Sequence, residues 1–228
     1  MHEKKSPSLA EVLVSDNKFN GLSESERKQS EATKLVLRWQ YSAEQHIQKN
    51  LIDVFSYLDG VVSNNSRTFK SEAEFRRLVR HKSSKDPSVR KEESEITSKS
   101  TELSELIYRI YRNASKEWLG SSKKISSALV LFSKMDGVSN ETVTQIIGWV
   151  DAELGKTMKL YLETSYKEFQ KFERIDSAEA FINIDSNQIN ESFSKCLTVA
   201  IEQNRKTVEA LQNALEKGKK SVTGLLRK

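Results

Sequence analysis

From Ser88 to Lys228 the chain contains no proline, and before Pro87 there is only Pro7. Proline removes a backbone donor and clashes with the preceding turn, so its absence lets helices run long. Over the same stretch apolar residues recur at spacings of three and four, the period of one helical face. Eight glycines among 228 residues leave little material for turns. All-β and α/β folds need many turns and are excluded on that ground. The expected fold is all-α: an elongated antiparallel bundle of three to four long helices with coiled-coil-like packing, plus one or two short helices.

Residues 1–22 are polar apart from Leu9, Val12 and Leu13, and read as a mobile N-terminal arm. Residues 23–228 read as one elongated helical domain. Ser23 with Glu26 forms a capping box, in which hydroxyl and carboxylate satisfy each other's backbone N–H groups. A helix then carries Ala32, Val36, Trp39, Ala43, Ile47, Leu51, Val54, Leu58 and Val61 on one face, spanning some 57 Å at about 1.5 Å per residue. Ser63-Asn64-Asn65-Ser66 reads as a loop. Ser71 with Glu74 suggests a new cap and a short basic helix to about Ser83. Asp86-Pro87 starts the next long helix, proline being favoured at its first position. Its stripe runs Leu103, Ile107, Ile110, Ala114, Trp118, Ile125, Ala128, Phe132, and Gly120 is a candidate bend. Asp136-Gly137 turns the chain, and Ser139 caps a third long helix through Val143, Ile147, Val150, Leu154, Met158, Tyr161, Phe169 and Phe172. Capping signatures at Asp176/Glu179 and Asp185/Gln188 place a short helix or kink before a last helix from Ser186 to about Leu226. Along that helix Gln203 and Asn204 interrupt the apolar seam, where a buried amide can fix register.

Short turns at 63–70 and 136–138 would make successive long helices antiparallel neighbours. A rod of three such helices leaves apolar surface uncovered, so a homodimer is expected. Cys196 stands alone in an apolar series and reads as a small packed side chain. The longest apolar run, Ala128 to Phe132, is far short of the about 20 residues that span a bilayer. With Glu11 breaking the only apolar stretch near the start, the reading is a cytoplasmic protein, soluble or peripheral on membranes.

The chemistry-bearing motifs are few. Gly155-Lys156-Thr157 resembles the end of a phosphate-binding loop, but Val150 stands where the first glycine is needed and no strand precedes it. His2, His46 and His81 are too scattered for a metal site, and His46, beside an apolar face, reads as a partly buried structural imidazole. Trp39, Trp118 and Trp149 read as core. Tyr108, Tyr111 and Trp118 interleave with Arg109, Arg112 and Lys116, leaving Tyr108 and Arg112 outward. No catalytic residue, cofactor site or metal site is expected, and the protein reads as non-enzymatic.

The net charge of +5 is concentrated. Nine Lys/Arg stand against three acids from Arg67 to Lys91, and seven against two from Arg205 to Lys228. Phe75-Arg-Arg-Leu-Val-Arg-His-Lys82 is amphipathic and basic, the composition of a helix lying on an anionic bilayer or in an acidic groove. The C-terminal cations with Val222, Leu225 and Leu226 repeat it. The expected function is therefore a scaffold or assembly protein docking through Arg76, Arg77, Arg80, Lys82, Lys217, Lys219 and Lys220 on an anionic membrane surface or an acidic protein. The alternative is a nucleic-acid-binding or packaging protein using the same cations on phosphates. Long antiparallel helices with basic patches resemble the membrane-moulding dimers of the BAR kind in architecture, though no residue motif carries that comparison.

Overall fold

A computed structural model of the protein describes residues 24–80, 87–135 and 137–217. They form helix α1 (Glu24–Arg80), α2 (Pro87–Ser133), α3 (Asn140–Glu173), the short α4 (Ala178–Ile182) and α5 (Ser186–Lys217). Among the described residues there is no strand. The mobile arm at 1–22, the cap Ser23 and the end of the last helix beyond Lys217 lie outside them.

The largest departure from expectation is α1, which runs unbroken through Ser63–Ser66 for 57 residues. At about 1.5 Å per residue that is roughly 85 Å. Loop-forming residues are tolerated there because the buried face continues: Val62, Ser66, Phe69 and Ala73 repeat the spacing of Leu51, Phe55 and Leu58. Asn64 and Asn65 do not turn back on their own backbone. Asn65 Nδ2 instead donates to the Phe172 carbonyl of α3 at 2.9 Å, so the amide ties two helices together. Ser71 and Glu74 are consequently mid-helix, and the hairpin turn falls at residues 81–86 rather than 63–70. Helix α2 likewise passes straight through Gly120.

The register of α1 on α2 is antiparallel. Thr33 meets Ser133 at 3.2 Å, Ser126 donates to Gln40 at 2.5 Å, and Ser104 donates to Asp59 at 2.7 Å. Against α3, α1 runs parallel: Asn140 donates to Glu31, Trp39 Nε1 to Asp151, and Tyr57 to Glu173. Helix α5 packs on α2 and α3. Around the bundle the order is thus α1, α2, α5, α3. The consecutive helices α2 and α3 are antiparallel but diagonal, not neighbours. Their connection crosses the end of the bundle, with Gly137 at φ 70°, a left-handed conformation that glycine adopts without strain. Ser139 then caps α3, accepting from Thr142 N.

Four stripes converge on an aromatic node. Phe55 of α1 lies 6.0 Å from Tyr111 of α2, 6.1 Å from Phe169 of α3 and 6.0 Å from Phe193 of α5. Phe169 and Phe193 approach to 5.1 Å. Every long helix contributes one ring, which sets their mutual register. Farther along, Phe181 of α4 packs on Phe69 at 5.8 Å and closes that end of the core. Ser177 caps α4, one residue past the Asp176 signature, and Asp185 Oδ1 accepts from the N–H groups of Asn187 and Gln188 at the start of α5. The fourth wall comes from the chain itself, so the apolar stripes are covered without a second copy. The open-rod argument for a dimer lapses with it.

Two substitutions check this architecture by urea denaturation. Asn64→Pro lowers stability by about 3 kcal/mol or more, because an exposed mid-helix position cannot accept proline, whereas a loop would tolerate it. Phe193→Ala costs about 3–5 kcal/mol by emptying the aromatic node.

Candidate functional site at the hairpin tip

Helix α5 begins beside the first third of α2: Lys99 Nζ donates to the Ile184 carbonyl at 2.9 Å, and Ser186 donates to Glu102. Beyond that level and beyond Phe69, α1 and α2 continue as a two-helix extension. Few side chains hold it together. Ala73 and Val89 are buried, with Ile96 at its base. Arg76 Nη2 reaches Glu92 Oε1 across the hairpin at 2.7 Å. Such a surface pair is worth about 0–1 kcal/mol, so the tip is pinned more lightly than the bundle.

On this extension Phe75, Leu78 and Val79 are 65%, 64% and 67% exposed, among the most exposed large apolar side chains described. They are three and four residues apart, hence on one side of α1. Cations surround them: Arg67 and Arg76 on α1, Arg90 and Lys91 on α2, all exposed. Arg77 and Arg80 belong to the last turns of α1, but their side chains, and Lys82 altogether, lie outside the described residues. Along α1, Asn64, Arg67, Thr68, Ser71, Glu72, Phe75 and Arg76 border an open trough of about 730 Å³.

The fold also brings in charges that the segment-by-segment count omitted. Glu92, Glu93 and Glu95 follow at once on α2, and through Glu95 nine Lys/Arg face six acids. Arg76 is engaged by Glu92, and Lys91 lies 3.6 Å from Glu95. The excess positive charge is therefore weighted toward the far end of the hairpin. The Glu92–Glu95 run was visible in the sequence. What was missing was the continuous α1 that sets it opposite Arg76.

The second basic segment lies at the other pole. Helix α5 runs parallel to α2 from Glu102 onward, so Lys217, its last residue, falls level with the end of α2, about 60 Å from the tip by helix rise. Lys219 and Lys220 lie outside the described residues. Arg205 is not free for a ligand, since its guanidinium pairs with Glu202 at 2.6 Å and with Glu209. It holds the Glu202 carboxyl below the usual range. The structure thus separates the two sets of sequence-predicted residues rather than joining them in one surface.

The remaining motifs fall on helical faces. Lys156 pairs with Glu153 at 2.7 Å and Thr157 Oγ1 donates to the Glu153 carbonyl, so Gly155-Lys156-Thr157 is ordinary α3. His46 is exposed, not partly buried, because it sits just outside the Ala43–Ile47 stripe. Trp118 is buried, Trp39 nearly so, and Trp149 half-buried. Tyr108 is exposed with the Arg112 guanidinium 5.9 Å above its ring. Cys196 is half-buried, and burial together with the Glu168 charge pushes its thiol above the ordinary value. Such a thiol is mostly protonated near neutrality and a poor nucleophile. Among the described residues no three His, Cys, Asp or Glu side chains gather in a group able to hold a metal ion, and no helix is long and apolar enough to cross a membrane.

No protein-family model, no curated protein and no solved structure matches this chain. Functional inference rests on its own residues.

The clamp can be checked directly. Glu92→Gln removes the cross-hairpin pair, and hydrogen exchange is expected to rise in residues 70–80 and 88–96 while the Phe55–Phe193 region stays protected. Uniform exchange throughout would show that the tip is not a separate, weaker unit.

Proposed function

We propose that the protein is a non-enzymatic helical scaffold whose α1–α2 tip docks on an anionic membrane surface. The exposure of Phe75, Leu78 and Val79 amid Arg76, Arg77, Arg80 and Lys82 is the observation that supports this reading. Cations draw the tip to anionic headgroups at about 1 kcal/mol each. Apolar side chains then gain by entering the acyl boundary. Phosphates of a nucleic acid would use the cations and leave the three apolar groups idle. An acidic protein groove is the other occupant compatible with both features.

The docking is end-on. Because the Lys217, Lys219, Lys220 set belongs to the opposite pole, the molecule does not lie flat on one surface as a curved BAR-like dimer does. It stands from the bilayer and offers its far basic pole to a second anionic surface or partner. A cytoplasmic, peripheral placement suits this, since the cytoplasmic leaflet carries the anionic lipid. Dimerisation, if present, would pair rods side by side, and light scattering on the free protein reads it.

Co-sedimentation with phosphatidylserine-containing vesicles against phosphatidylcholine alone tests the reading. Binding is expected only to the former and to weaken with salt. Arg77→Glu with Arg80→Glu lowers affinity more than about tenfold, on a scale of about 1 kcal/mol per cation. Arg76 is left intact in that variant, so that the Glu92 clamp is not broken as well. Phe75→Ser with Leu78→Ser weakens vesicle binding at unchanged charge. If vesicle binding is absent, the membrane reading is wrong. If the charge variant alone matters and single-stranded RNA is retained in a gel shift, the nucleic-acid alternative replaces it.

A further inference from the structure

Midway along the bundle the core changes from aromatic to polar. Trp118 Nε1 and Ser122 Oγ on α2, Tyr161 Oη and Ser165 Oγ on α3, and both amide atoms of Asn204 on α5 are buried without a hydrogen-bond partner. They gather near one level. The Trp118 and Tyr161 rings are 5.9 Å apart across the diagonal. The register that places Ser186 beside Glu102 brings Asn204 opposite the Trp118–Ser122 turn. Native interiors leave few such groups unpaired, and each one costs the desolvation of a donor or acceptor. Several from three helices at one level mark a place built to meet a polar group from outside the chain.

That layer has an opening. A groove of about 380 Å³ between α1 and α3 has Trp118 in its lining, with Ile47, Leu154 and Met158 as apolar walls. Its size falls in the range of small-molecule sites. At Gly155, which borders it, an added Cβ would meet no atom within 4 Å, so the glycine leaves the groove open. The rim carries both signs, Asp151 and Glu163 against Lys159, and so favours no net charge. An indole N–H can only donate, so the complement of Trp118 is an acceptor oxygen.

We propose that this groove is the mouth of a binding site for a small neutral molecule with an apolar body and one oxygen-bearing end that reaches the Trp118 layer. It is separate from the hairpin tip and stands or falls independently of membrane docking.

Benzyl alcohol is a suitable probe and toluene its comparator, both titrated into the full chain labelled with ¹⁵N. The Trp118 indole resonance, assigned by its loss in Trp118→Phe, reports occupancy. The alcohol is expected to shift it saturably and to bind at least about threefold more tightly than toluene, a hydrogen-bond increment. Gly155→Leu fills the groove and should weaken the alcohol by about tenfold while thermal unfolding stays cooperative. Intermolecular NOEs from the probe ring to the Met158 methyl place the ligand without relying on any variant. An indole that contacts only water and moves with neither probe assigns the layer to internal hydration and overturns the proposal. Missing Met158 NOEs, or equal affinity for toluene, overturn it too.

Discussion

Everything in this structure follows from apolar stripes at spacings of three and four that must be removed from water. A single such helix is marginal in isolation, and a buried large apolar side chain gains about 1.5–3 kcal/mol. Four stripes meeting on one axis cover each other, as two or three would not. Phe55, Tyr111, Phe169 and Phe193 meet where all four come together, and their ring contacts fix how far each helix can slide. The parallel pairing of α1 with α3 and the diagonal placement of α2 and α3 are then consequences of a connection long enough to cross the bundle end.

Because α1 is far longer than α3 or α5, the core cannot cover it along its whole length. The overhang is the hairpin tip. Its stability rests on little more than Ala73, Val89 and the Arg76–Glu92 pair, while its outer side shows Phe75, Leu78 and Val79 to solvent. An apolar triad on a weakly held extension is a poor device for folding and a good one for contact. The same length mismatch separates the two basic segments. Function and fold are connected here by arithmetic on helix rise rather than by any catalytic geometry.

Much of this was legible in the chain. The stripe of α1 from Ala32 to Leu58, the cap at Ser139, the turn at Gly137 and the start of α5 after Asp185 each have a local chemical cause, and local causes are written in sequence. The failures share one origin. Ser63-Asn64-Asn65-Ser66 has turn composition, yet Val62, Ser66 and Phe69 keep the helical face buried and Asn65 finds a partner on α3. Tertiary packing overrode propensity, which is weak beside burial. Once the break at 63–66 was read as real, the hairpin was misplaced, and neither the overhang nor the acidic run opposite Arg76 could be foreseen. At the candidate site the residue types were readable, but their distribution between two poles was not, because separation depends on which helices are parallel.

Asn204 shows where local pattern and packing meet. A polar interruption in the stripe of α5 suggested an amide that fixes register, and the residue is indeed buried. Yet a register-fixing amide normally pairs with a counterpart, and neither atom of this one does. Ser122 and Ser165 nearby are small, so the helices leave room beside the amide rather than closing on it. The bundle therefore has two unlike layers along one axis. In the first, four rings interlock and specify alignment. In the second, small hydroxyls, an indole and an amide offer bonding capacity that the chain does not use itself, beside a groove that reaches the surface. Rigidity supplied by the aromatic layer is what allows the polar layer to stay open, since a bundle without that anchor would slide until its polar groups found one another.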